Sequence, residues 1–133
     1  MSRSGYTHDC EGLNMWRGAV ARGIQGKRGQ QALRDLIQAL DAMPENRLVS
    51  GSFSNSCGVC SLGAIAQFRG LATNDLEVEH GDEVDRDRVG QRLDISSAMA
   101  AEIMYENDCE YQSSTAEHRW SRMRQWAEQN LKD

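Results

Sequence analysis

Residues 23–44 read GIQGKRGQQALRDLIQALDAMP, a basic, glycine-punctuated loop that feeds an amphipathic segment and stops at proline. Leu33, Leu36, Ile37, Leu40 and Met43 recur at helical spacing and line one face. Gly29 is placed to cap the start of this helix, and Pro44 cannot continue its ladder. The same segment sets Lys27 and Arg28 at a helix N-terminus, where backbone N–H groups attract anions.

Upstream, Leu13, Trp16, Val20 and Ile24 form a second helical stripe. Gly18 and Gly23 weaken that helix by about 1 kcal/mol each relative to alanine, so packing must hold it. The two helices are expected to pair antiparallel across a Gly26-Lys27-Arg28-Gly29 turn. Residues 1–12 are polar and expected to be irregular.

Downstream of Pro44 the pattern changes. Residues 47–53 (RLVSGSF) and 58–61 (GVCS) flank a Ser-Asn-Ser turn, which fits either a small β-hairpin or an irregular loop. Residues 62–69 read as a short helix closed by Gly70, and 71–85 as an acidic loop. Residues 87–93 make a helical turn, after which Asp94 or Ser96 caps a helix with Ile95, Met99 and Ile103 inward. Ser114 and Glu117 have capping-box spacing before a last helix. There Trp120, Met123, Ala127 and Leu131 form the stripe, with Arg119, Arg122 and Lys132 off it. The fold expected is mainly α: one domain over residues 1–133, a small bundle of about five helices, with a hairpin near 47–61 left open.

A chain of 133 residues can bury a core without staples. Its apolar residues are 39% and its aromatics 6%, so that core should be modest and built from Leu, Ile, Ala and Met. No apolar run approaches the length of a membrane span, and no signal-peptide pattern is visible, so no membrane partner and a cytoplasmic location are expected. The net charge of −5 argues against wholesale duplex coating, yet the charge is uneven. Residues 1–34 hold six Lys/Arg against two acids, and 118–132 four against one. Residues 72–88 hold seven acids against two arginines. The basic ends either neutralise the acidic middle or form a face for a charged partner, and solvated neutralisation is the commoner outcome.

Four cysteines, Cys10, Cys57, Cys60 and Cys109, could complete a zinc site, but only Cys57 and Cys60 form a close pair, so no metal is expected. Cys60 reads more simply as a small core residue. Residues 89–103 resemble a helix-turn-helix, but the second helix offers Ala98, Ala101 and Glu102 where base readers should stand. The acidic stretch 75–87 lacks the ligand order of a calcium loop. No GxSxG, HExxH or close Cys–His motif is present, and no enzymatic activity is expected. Trp126 flanks the last stripe near Arg122, a pairing that protein interfaces favour.

Several segments carry a resemblance: SRSGY at 2–6, residues 16–44, VCSLGAI at 59–65, YEND at 105–108 and RWSRMRQW at 119–126. Together they look like a family of small proteins encoded by temperate phages and prophages of proteobacteria. The resemblance implies phage origin and the host cytoplasm, and transfers no catalytic residue. It suggests an accessory protein that binds a host or phage protein, as inhibitors of bacterial defence do. The partner-binding residues expected are Lys27, Arg28, Arg122 and Trp126. Two alternatives stand beside this: a nucleic-acid-binding accessory protein using Lys27, Arg28 and the last-helix arginines, and a zinc-stabilised interaction module.

Overall fold

The computed structural model describes residues 13–50, 53–55, 58–76, 85–108 and 115–132. Among these the chain forms α1 (Leu13–Gln25), α2 (Lys27–Ala42), β1 (Ser54–Asn55), β2 (Gly58–Val59) and α3 (Ser61–Arg69). A 3-10 turn (Asn74–Leu76), α4 (Arg86–Leu93), α5 (Ser97–Asp108) and α6 (Ala116–Asn130) follow. The molecule is a small helical bundle, as its periodicities require. Two helices organise it: α1, α3 and α6 each pack against both α2 and α5, while α4 packs on α5.

The α2 stripe faces inward, with Leu33, Leu36 and Leu40 fully buried and Ile37 and Met43 at its margin. Helix α5 is buried nearly all round: Met99, Ala100, Ala101, Ile103 and Met104 are all inaccessible, and Tyr105 is its one exposed residue. That burial removes the helix-turn-helix reading. The residues 94–96 do join two helices in three residues, but a central helix cannot enter a groove.

Where sequence and structure part, longer-range contacts explain the difference. Gly29 is not the N-cap of α2; Gly26 is, in extended conformation, and the helix already includes Lys27 and Arg28. A single residue therefore joins α1 to α2, in place of a four-residue turn. Gly29 is buried instead at the close approach of the two helices, where a Cβ would collide with the Gly23 carbonyl oxygen and stand 2.8 Å from that of Ile24. Thr115, not Ser114, caps α6: its hydroxyl accepts from the His118 amide at 3.0 Å, and Glu117 turns to Arg47 at 3.2 Å. Ser114 lies outside the described residues.

The hairpin is narrow. Ser54 pairs with Val59 and Asn55 with Gly58, and the Val49 amide donates to the Val59 carbonyl at 2.9 Å. Helix α3 begins on Cys60, whose sulfur accepts from the Gly63 amide, and ends on Gly70 at φ 74°. Ser96 takes the capping role at α5, its hydroxyl accepting from Met99 at 3.1 Å. Asp94 closes α4 in left-handed conformation at φ 55°. Arg119, read as off the stripe, is only 8% exposed and donates from Nη1 to the Leu48 carbonyl at 2.9 Å. Its Nε has no partner among the described residues.

Candidate functional site

The joint between α1 and α2 forms a cleft of about 280 Å³. Gly23, Gly26 and Gly29 line it, with Arg22, Lys27, Arg28 and Ser96 around them. Gly26 brings no side chain to cap the first turn of α2, and the next ladder bond runs from the Gln30 amide to the Gly26 carbonyl at 2.9 Å. The first turn of α2 contains no acidic residue. It presents cations at the positive end of the helix dipole, the reverse of the stabilising arrangement.

A third element reaches this corner. Gln30 is buried and donates to the Ile24 carbonyl at 2.8 Å and to the Asn130 carbonyl at 3.1 Å. Its oxygen accepts from the Lys132 amide at 2.7 Å. The end of the chain is thereby held on the α1–α2 joint, and Lys132 Nζ lies 3.3 Å from the Gln25 carbonyl. The two basic ends of the sequence thus meet. Arg28 forms an exposed pair with Asp94 at 3.2 Å. Arg22, Lys27 and Lys132 face no carboxylate among the described residues. The Arg22 guanidinium leans back along α1 over Gly18; Arg22, Lys27 and Arg28 are the cations that line the cleft, and Lys132 is held nearby at Gln25.

The other arginines are largely committed to internal pairs. Arg17 meets Glu102 at 3.2 Å, Arg69 meets Asp35 at 2.7 Å, and Arg88 and Arg92 both hold Asp75. Arg124 joins α6 to Asp41 at 2.7 Å and also holds Glu128. The hydrogen bond from Arg92 and the charges of Arg92 and Arg88 depress the Asp75 carboxyl to about 2. Asp75 therefore belongs to a structural cluster, while residues 77–84 of the acidic stretch lie outside the described residues.

Arg122 and Trp126 do not form an exposed edge. The Arg122 side chain is 12% exposed and turns inward, pairing with the Glu106 carboxylate at 3.2 Å and donating to the Glu106 carbonyl. Burial first, then the Glu102 charge, pushes the Glu106 carboxyl up, against the pull of Arg122 and Arg17. Trp126 is half-buried against the core. Helical periodicity showed both residues beside the stripe, but only the carboxylates of α5 decide that Arg122 points in. Of the four residues read as partner-binding, the structure brings Lys27 and Arg28 together at the cleft; Lys132, whose only signal in the sequence was the basic character of both ends, lies near it at the Gln25 carbonyl.

Cys60 is buried and free, as a small core residue would be. Cys10, Cys57 and Cys109 lie outside the described residues. Among the described residues no group of three or more His, Cys, Asp or Glu is placed to hold a metal. No described helix is long and apolar enough to cross a membrane. Comparison with protein-family models, curated proteins and solved structures finds no match.

Proposed function

We propose that this chain is a non-enzymatic binding module whose basic corner docks an acidic patch on a partner protein. Following the resemblance in its sequence, it would be an accessory protein of a temperate phage that modulates or inhibits a host protein, such as a defence factor, in the bacterial cytoplasm. One observation carries the reading: α2 opens on Lys27 and Arg28, with no acid in its first turn, beside an open cleft that Arg22 also lines, with Lys132 held nearby at the Gln25 carbonyl. That placement works against the helix dipole. Local choices that oppose stability are expected where a surface serves binding. A protein partner is favoured over nucleic acid because most arginines among the described residues are held in internal pairs and the chain is acidic, so counterion release would be small.

The test compares the native chain with the double variant Lys27→Glu/Arg28→Glu as bait in host lysate, read by mass spectrometry. A protein retained by the native chain and lost with the variant is the result expected. Identical captures by both baits would overturn the role of the corner. A gel-shift titration at low and moderate salt is run alongside. Salt-sensitive duplex binding abolished by the same variant would replace this reading with the nucleic-acid one.

A further inference from the structure

The basic corner already holds one carboxylate, and it belongs to the chain itself. Arg28 Nη1 donates to Asp94 Oδ1 at 3.2 Å, a single long contact between side chains that are 62% and 70% exposed. Packing brings Asp94 there. Ser96 of the α4–α5 turn seats against α1 at the edge of the cleft, because a Cβ on Gly23 would collide with its hydroxyl oxygen. Just before Asp94, the Leu93 carbonyl accepts from Arg69 Nη1 at 2.6 Å, while Arg69 Nε donates to Asp35 of α2 at 2.7 Å. The turn is thus fixed to α1, α2 and α3, with Asp94 between the two anchors. Its backbone amide closes α4 on the Gly90 carbonyl, a role that does not use the carboxylate.

We propose that Asp94 is a built-in competitor of the partner: it occupies Arg28 in the free chain and is displaced when an acidic surface docks. The inference rests on the basic corner being the docking surface. Asp94 engages one arm of the guanidinium fork, whereas a carboxylate arriving from solvent can take two parallel N–H···O bonds. An exposed pair of this kind is weak, so the competitor lowers affinity without closing the site. It also selects. A solitary carboxylate merely replaces Asp94 and gains little. A surface bearing several carboxylates also reaches Arg22 and Lys27, which face none among the described residues, and so gains more than the lost pair was worth. Discrimination of this kind comes from a cost that only the right partner repays.

Anisotropy titration of a fluorescein-labelled hexaglutamate peptide with the full chain, at low salt, tests the inference. Asp94→Asn is the variant to compare, because asparagine accepts the left-handed backbone at φ 55° and only the charge is lost. It should bind the peptide about threefold more tightly than the native chain, the scale of an exposed ion pair, with a thermal midpoint no lower. In an Arg28→Gln background the same change should lose most of that gain. Equal gains in both backgrounds would overturn the proposal, since Asp94 would then act only as a distant charge. So would unaltered or weaker binding by Asp94→Asn where Lys27→Glu/Arg28→Glu abolishes it, a result that spares the corner and removes the competitor. No binding by the native and Asp94→Asn chains, or binding indifferent to Lys27→Glu/Arg28→Glu, would overturn the corner itself and the competitor with it.

Discussion

The Asn107 carboxamide oxygen, on the last turn of α5, accepts from both the backbone amide and the hydroxyl of Ser61, at 3.0 and 2.8 Å. Asn107 Nδ2 donates to the Val49 carbonyl at 2.9 Å. One buried side chain thus ties α5 to the start of α3 and to the segment before the hairpin. The buried polar groups would otherwise lack water and partners alike.

Asn107→Leu should therefore destabilise by about 2–4 kcal/mol, since it strands the Ser61 amide and the Val49 carbonyl together. Ser61→Ala, which removes one donor and leaves the amide paired, should lose about 1 kcal/mol. Urea unfolding of both variants measures the difference. Equal losses would mean that the hydroxyl, and not the two backbone groups, dominates the network.

Gly29→Ala and Gly70→Ala should separate two uses of glycine. At Gly29 the added methyl meets the backbone of α1, which cannot yield without reopening the joint, so a loss above about 3 kcal/mol is expected. At Gly70 nothing lies within 4 Å, and only the left-handed φ of 74° is strained, for a loss of about 1 kcal/mol. Thermal melts rank them directly, and a reversed order would refute the close approach of α1 and α2.

Stability should fall at both ends of the acidic range, for opposite reasons. The Asp75 carboxyl is depressed from 3.8 to about 2, so its contribution is present above 3.8 and disappears as pH falls toward about 2. The Glu106 carboxyl is raised above 4.5. Its contribution is complete below 4.5 and is lost as pH rises through the folded value. Asp75→Asn should flatten the acid limb, and Glu106→Gln should flatten the fall above 4.5 without lowering stability at pH 7. Urea midpoints taken between pH 2 and pH 8 (about six values suffice) read both slopes. A Glu106→Gln variant distinctly weaker at neutral pH would show that the Arg122 pair outweighs burial.

Lys27→Glu should stabilise the fold while impairing docking. An acid at the first position of α2 aligns with the helix dipole, for a gain of about 0.3–1 kcal/mol. The same change reverses the sign of the corner. A rise in thermal midpoint with lost partner capture is the expected combination. A fall in midpoint would remove the electrostatic reason for assigning a binding role to this turn.

The elements were legible because their signals are local. The α2 stripe and Pro44, the Gly70 stop of α3, and the Ile95, Met99 and Ile103 repeat each depend on neighbours within a few turns. Boundaries slipped by a few residues where a rival cap stood nearby, as with Thr115 and Ser114. The candidate site was half legible. Lys27 and Arg28 stood out as cations at a helix start, but the inward turn of Arg122 depends on Glu106, sixteen residues away and on another helix.

By itself, then, the sequence determined that this chain is a bundle of short amphipathic helices, because turn-by-turn periodicity leaves apolar faces that must cover one another. Only the tertiary structure decided which charges are sealed in pairs and which stay open. Gln30 reaches across 102 residues to the Lys132 amide, and Arg124 across 83 to Asp41. Such meetings are fixed by how the helices pack, and no spacing along the chain encodes them.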